Sequence, residues 1–333
     1  MNTFPHATTG RGGHSAQPAL QANKVLYENV VIVTRKTGLE ELTDRFNTVA
    51  QARFYLEHAG QAFEPIAQQH ATYQSALDQV RKTVPRGLKT HVIERGYLPQ
   101  YSFQESDLVV TIGPDGLVVN TAKYVGEQPI LAINPDPAYM DGILMAYTAA
   151  RIGQVMTAAI NGESGFKNIS MAEASLDDGQ SILAFNDLFI GTRSHVSARY
   201  HLEQGGRGED HSSSGVIVST GAGSTGWLQS VYAGAAGVIQ ALGGRVSPPP
   251  NAGRLPWNTD HLMFAVREPF PSKVTQTNKV FGVVTKDEPL TITSHMTGNG
   301  VIFSDGIEND YLEFNAGSTA TITLAKHQAR LVA

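Results

Sequence analysis

Asp107 to Val125 reads DLVVTIGPDGLVVNTAKYV: an apolar run stops at Gly113-Pro114-Asp115-Gly116 and then resumes with helical spacing. Leu108, Val109, Val110 and Ile112 form the continuous apolar run of a strand buried on both faces, whereas Leu117, Val118, Ala122 and Val125 fall along one stripe of a helix. The stretch therefore predicts strand, tight loop, helix, with Asp115 at the carboxyl end of a parallel strand facing a helix N-terminus. Ligands of open α/β sheets bind at those strand ends, and backbone N–H groups there favour phosphate. A carboxylate so placed can take a proton from a substrate hydroxyl beside a bound phosphate. Pro-Asp-Gly is also ordinary turn chemistry, and this stretch alone leaves both readings open.

Flanking segments extend the α/β pattern. Val30 to Val33 make a first buried strand, and Leu42, Phe46, Val49 and Leu56 predict one helix ending at Gly60. A second helix is expected over Tyr73 to Val84, a short strand at His91-Val92, a strand over Pro129 to Asn134, and a helix from Met140 to Ile160. Strands alternating with helices argue for a parallel sheet with right-handed crossovers. Beyond residue 170 the texture changes. Met171 to Leu176 and Ser181 to Ile190 read as a hairpin about Asp177-Asp178-Gly179-Gln180, and strand-like pieces follow to Ala325, interrupted by one helix from Trp227 to Leu242. The expected fold class is α/β plus β: a Rossmann-like N-terminal domain over 28–145 and a β-rich, β-sandwich-like domain over 146–333. Residues 1–27, rich in Thr, Gly, Ser, Gln and Pro, are expected to form a poorly ordered arm.

Composition removes several function classes. The 333-residue chain can bury a sizeable core, and 25 basic against 30 acidic residues give a net charge of −5, so no basic surplus points to nucleic acid. It has no uninterrupted apolar run of about 18 residues, which argues against a membrane helix. With no cysteine there are no disulfides, zinc–thiolate sites or Cys nucleophiles, and the simplest placement is cytoplasmic. The histidines show no metal-ligand spacing such as H-E-x-x-H, so no metal cage is expected.

Three further segments carry chemistry. Ser219 to Trp227, STGAGSTGW, lies between a strand and a helix; its glycines permit close backbone approach, its hydroxyls can bond a base or phosphate, and Trp227 offers a stacking face. A tight connection with Trp227 packed in the core would read the same way. Asn186-Asp187 sits inside an apolar strand, where one of two adjacent polar side chains meets the apolar face unless a ligand, a bulge or an edge position accounts for it. Asp305-Gly306 is most economically a hairpin turn, and Arg267-Glu268-Pro269 can serve an ion pair or a ligand.

Taken together and in order, these segments resemble the NAD kinase family, and its mitochondrial-type branch more than the common bacterial one. Gly113-Pro114-Asp115-Gly116-Leu117 stands where the family has G-G-D-G-T, Asn134-Pro135-Asp136-Pro137 resembles its following turn, and Asn186-Asp187 matches its Asn-Glu pair. Ser213-Ser214-Gly215 through Trp227 is similar to its second glycine-rich motif, and Phe264 to Pro269 is similar to the mitochondrial type. The resemblance implies an ATP-dependent kinase, probably not a membrane or nucleic-acid protein, that uses ATP and Mg²⁺ to phosphorylate the adenosine ribose 2′-hydroxyl of NAD(H), working as a homodimer. By matching position Asp115 is the general base; Gly113 and Gly116 line the nucleotide loop; Asn186 and Asp187 hold the nicotinamide ribose. Thr225, Gly226, Trp227 and Ser230 surround the adenine. Two departures bear on activity: Pro114 removes a backbone N–H that could meet a phosphate, and Leu117 removes a hydroxyl. The alternatives are a non-catalytic NAD(P)-binding sensor, or a kinase for a sugar or lipid hydroxyl, since phosphofructokinases and diacylglycerol kinases share similar G-G-D-G loops.

Overall fold

Strands that are apolar on both faces must lie between two layers, and the first half of the chain is built that way. The computed structural model describes residues 27–247 and 249–333; the arm expected over 1–27 lies, apart from Tyr27, outside the described residues. Strands β1 (Asn29–Thr34), β2 (Lys89–Glu94), β3 (Asp107–Ile112) and β4 (Ile130–Asn134) pair in parallel in the order β2-β1-β3-β4, with β5 (Tyr147–Thr148) beside β4. One face is covered by α3 (Glu64–Thr83) and α5 (Ile152–Asn161) through Tyr73, Leu77, Val80, Ile152 and Met156; helices α1 (Gly38–Phe46) and α2 (Val49–His58) precede α3 in the chain. The other face is covered by α4 (Asp115–Ala122), whose Leu117, Val118 and Ala122 pack with Val31, Val109 and Ala132.

Two expectations are corrected here. The single helix expected from Leu42 to Gly60 is α1 and α2, because Asn47 turns left-handed at φ 66° and Thr48 starts a new helix by capping Gln51 N–H. The helix expected from Met140 begins only at Ile152; 140–146 form an irregular loop, with Gly142 at φ 52°, where an added Cβ would lie 2.6 Å from the Met145 methyl.

The second half is antiparallel. β6 (Phe166–Leu176) and β7 (Ser181–Ala184) form the expected hairpin, followed by β8 (Asp187–Thr192), β9 (Ala198–Gln204), β10 (Arg207–Ser213) and β11 (Val216–Ser219). Helix α6 (Trp227–Ala241) intervenes before β12 (His261–Val266), β13 (Phe281–Thr285), β14 (Leu290–Ser294), β15 (Gly300–Ser304), β16 (Ile307–Glu313) and β17 (Thr319–Val332). Six of these make one sheet, in the order β13-β12-β11-β8-β15-β16. The others run β10-β9-β14-β17, and β17 continues into β4 through Leu331 opposite Ile130 while β6 pairs along its other edge, so one large sheet spans both halves. Leu188, Ile190, Val218 and Phe264 of the smaller sheet pack against Ala174, Tyr200, Leu202 and Ile292 of the larger, which makes the β-rich half a sandwich. The uninterrupted strand expected over Ser181 to Ile190 is also corrected: β7 belongs to the large sheet and β8 to the small one, and Phe185-Asn186 is the crossing.

The carboxyl ends of β1 and β3 are tied by a buried phenol. Tyr73 OH donates to Ile112 O (3.1 Å) and accepts from Arg35 N–H (3.2 Å). Tyr73→Phe leaves both backbone groups without that partner and is expected to lower unfolding free energy by about 1–2 kcal/mol in urea titration; an unchanged midpoint would show that the bridge contributes nothing.

Candidate functional site

Asp115 is the first residue of α4, with Pro114 at the N-cap and the strand end Ile112 directly before the turn. Its carboxylate accepts backbone N–H groups from Ile143 (2.8 Å) and Leu144 (3.0 Å) in the irregular loop. That loop is shaped by Asn134, whose amide donates to Met140 O (2.7 Å) and whose carbonyl accepts Asp136 N–H (2.9 Å). The two amides fix the carboxylate plane, and each oxygen retains a second lone pair for a ligand proton. Leu117, standing where a hydroxyl was expected, is buried beneath the turn: a Cβ on Gly113 would lie 2.9 Å from its Cδ2 and 3.6 Å from Arg35 Cδ. Arg35, at the end of β1, thus borders the Gly113 turn, a cation that reading the sequence did not single out.

The crossing between sheets makes the second part of the site. Leaving β7, the chain presents three successive N–H groups, and Asp305 accepts all of them: Phe185 (3.1 Å), Asn186 (2.7 Å) and Asp187 (3.3 Å). Asp305 sits in the β15–β16 turn with φ 56°, followed by Gly306 at 71°, so the turn expected from Asp-Gly is present and its side chain does additional structural work. Burial raises the Asp305 carboxyl above the ordinary range, opposed by nearby Lys123 and by the three amides. Lys123, with a side chain 2% exposed at the end of α4, donates to Ser304 Oγ (2.7 Å) and lies 3.3 Å from Asp310, which also accepts the Tyr124 hydroxyl.

From the other side the crossing is gripped by the glycine-rich loop. Thr220 N–H donates to Asn186 O (2.9 Å), Thr220 Oγ1 donates to Phe185 O (2.6 Å), and Gly223 N–H donates back to Thr220 Oγ1 (3.1 Å). A Cβ on Gly223 would lie 2.1 Å from Asn186 O, and one on Gly221 1.9 Å from Pro256 O, so both positions require glycine for backbone approach. Ser224 is occupied internally with Gly221 O and Leu255 N–H, whereas Thr225, Gly226 and Ser230 are exposed. Phe185 and Ala222 join Leu117 and Val118 in one apolar cluster, so α4 and its leading Asp115, the Asn186-Asp187 crossing and the loop 219–227 surround a common core.

Asp187 opens β8, and strand alternation puts it on the same face as Phe189. Its Oδ1 is buried and has no hydrogen-bond partner, and burial followed by repulsion from Asp305 pushes the carboxyl up to about 7. On that face a cavity of about 390 Å³ is lined by Phe189, Trp227, Phe303, Arg193, Arg267 and Glu268, among others. Trp227 stacks on Phe189 at 5.9 Å, Phe189 stacks on Phe303 at 4.8 Å, and the Arg267 guanidinium lies 5.1 Å from the Trp227 ring. Trp227 is therefore half-buried in an aromatic stack, with Arg267 over it, and Ser214 donates to Glu268 at the rim. Among the described residues no group of three or more His, Asp or Glu side chains is placed to hold a metal ion, and no helix is long and apolar enough to cross a membrane.

Two solved structures are similar in fold. An NAD kinase from Archaeoglobus fulgidus in complex with ATP aligns over 91% of this chain and 93% of that chain, with 15% identity and a TM-score of 0.50. Yeast NADH kinase complexed with NADH aligns over 92% of this chain and 83% of that one, with 15% identity and a TM-score of 0.55. No family model matches the sequence, and no curated protein matches it. At this identity the likeness is one of fold: an α/β half with a parallel sheet and a β-rich half.

Asp187 gives a signed pH prediction. Because its folded carboxyl binds a proton more tightly than the ordinary value of 3.8, its contribution to stability is full at low pH and is lost as pH rises toward about 7. Asp187→Asn cannot ionise, so its stability relative to the parent should climb across that window and level off at about 1–3 kcal/mol above pH 7, measured by urea unfolding at pH 5 and pH 8. A difference independent of pH would refute the buried-carboxylate account. Asp305→Ala, which strands three amides, is expected to be destabilising by about 3 kcal/mol or more.

Proposed function

We propose that the chain is an NAD kinase, transferring the γ-phosphoryl group of ATP to the adenosine ribose 2′-hydroxyl of NAD or NADH. The observation that carries this reading is the convergence of the Asp115 turn, the Asn186-Asp187 crossing and the 219–227 loop on one core, in a fold shared with kinases whose solved complexes hold ATP and NADH. The match of motifs to the NAD kinase family, and to its mitochondrial-type branch, supports the same reading at each of those segments.

In this mechanism Asp115 accepts the 2′-hydroxyl proton as that oxygen attacks the γ-phosphorus, and the bond to ADP breaks. The Ile143 and Leu144 amides orient the carboxylate toward the nucleotide turn of Gly113 and Gly116. Arg35 beside Gly113 offers charge to the phosphates that Pro114, lacking an N–H, cannot bond. Asn186 and Asp187 take the nicotinamide ribose; the partnerless Oδ1 of Asp187 is an acceptor waiting for a ribose hydroxyl. Thr225, Gly226 and Ser230 are open to the adenine, with the exposed side of Trp227 beside them. The donor set suits Mg²⁺ carried on the ATP phosphates rather than in a protein cage, and there it supplies charge neutralisation. The same reading takes the working protein as a cytoplasmic homodimer with 28–145 and 146–333 as its domains.

The deciding experiment incubates the chain with ATP, Mg²⁺ and either NAD or NADH and detects NADP(H) with a coupled dehydrogenase. Product is expected from the parent, with a loss of about 10²-fold or more in Asp115→Asn. Saturable NAD binding without product would select the non-catalytic sensor, which the altered Gly113 to Leu117 turn favours; phosphorylation of a sugar or lipid without NAD binding would select the other kinase. A second outcome concerns pH. Ribose hydroxyls donate to an ionised carboxylate, so NAD affinity should strengthen as pH rises from about 6 to about 8 through the Asp187 pKa, and Asp187→Asn should abolish that dependence.

A further inference from the structure

Helix α6 carries more apolar surface than a single chain can cover. Residues 227–244 contain no Asp, Glu, Lys or Arg, and of the helix only Leu228 is fully buried. Val238, Ile239 and Leu242 are 61%, 43% and 83% exposed, and Ala233, Gly234, Ala235 and Gly237 lie open beside them. A helix apolar all round belongs inside a protein core or an interface, and one at the surface is expected to show a charged face. The patch continues onto the smaller sheet, where Phe281 of edge strand β13 contacts Tyr232 of α6 at 5.7 Å and is, with Val283, nearly half exposed.

We propose that α6, with Phe281 and Val283 beside it, is the docking surface for a second copy of this chain. Three observations favour that occupant. First, residues 1–26 are dominated by Thr, Gly, Ser, Gln, Asn, His and Pro and offer no apolar stripe to lie along α6. Second, helices that lie on membrane surfaces carry Lys or Arg on a polar face, and α6 has none. Third, a chargeless patch needs no complementary charge on its partner, so it is self-complementary about a two-fold axis, and the open Gly234 and Gly237 let two helices approach closely. The area suffices: a helix about 22 Å long and about 10 Å across, together with the two β13 side chains, offers on the order of 600 Å² per chain, or about 1,200 Å² in total, at the lower bound for a specific interface.

This inference is independent of the kinase reading, and its test measures mass. The full chain in analytical ultracentrifugation at micromolar concentration is expected to sediment at twice 35.8 kDa, and the Val238→Glu, Leu242→Glu double variant at 35.8 kDa with unchanged circular dichroism. Because the chain has no cysteine, Val238→Cys or Leu242→Cys should give a covalent dimer with a short bismaleimide, whereas Glu57→Cys on α2 should not. A monomeric parent, a double variant that remains dimeric, or equal cross-linking from position 57 would each overturn the proposal. A parent that is monomeric and floats with phosphatidylcholine vesicles would overturn it in favour of a lipid surface.

Discussion

Three backbone N–H groups without strand partners set the terms for this structure. A chain that leaves one sheet for another cannot keep its ladder, and at Phe185 to Asp187 the freed donors lie where water does not satisfy them all. Asp305 supplies a single carboxylate to all three. The crossing is fixed by it, and with the crossing go the directions of Asn186 and Asp187. Thr220 and Gly223 complete the clasp from the opposite side, so the glycine-rich loop is set by the same few atoms.

The charge that Asp305 brings has to be balanced, and the balance ties the two halves of the chain together. Lys123 follows the helix that Asp115 begins, and its buried ammonium meets Ser304 and Asp310 on either side of the Asp305 turn. A buried ion network of this kind adds little net stability over an apolar core, but breaking one member is expensive, so its effect is to hold one arrangement. Here that arrangement relates the end of β3, through α4, to the crossing between the sheets. Asp187 is left as the second carboxylate in a place that tolerates one, which is why its proton is held toward neutral pH.

Much of this was legible in the sequence, and the rest was hidden for physical reasons. The parallel strands announce themselves because burial on both faces demands continuous apolar runs, and the turns at Asp177 to Gln180 and Asp305-Gly306 because few residues accept positive φ. Asp115, Asn186, Asp187 and Trp227 each stand out as misfits of pattern. The break at Phe185-Asn186 does not, since strands on both sides of it are apolar and alternation passes through undisturbed. Asn47 divides α1 from α2 with a single left-handed residue inside an otherwise helical spacing. The 140–146 loop contains enough Met, Ile and Leu to imitate a helix, and β10 is too polar to read as a strand without its neighbour β9. Arg35, Lys123 and Asp305 act across long sequence separations, where a single sequence gives no signal.

The long strand β17 has a further consequence, for the order in which the molecule can form. It fills the edge of the parallel sheet beside β4 and at the same time pairs with β6 and β14, so it is the seam between the two halves. On a ribosome its residues are made after every element they join. Until they appear, β4 and β6 expose hydrogen-bonding edges that belong together only through a strand not yet synthesised. The nascent chain must therefore keep those edges from pairing with other molecules, and the native topology closes in a late, non-local step.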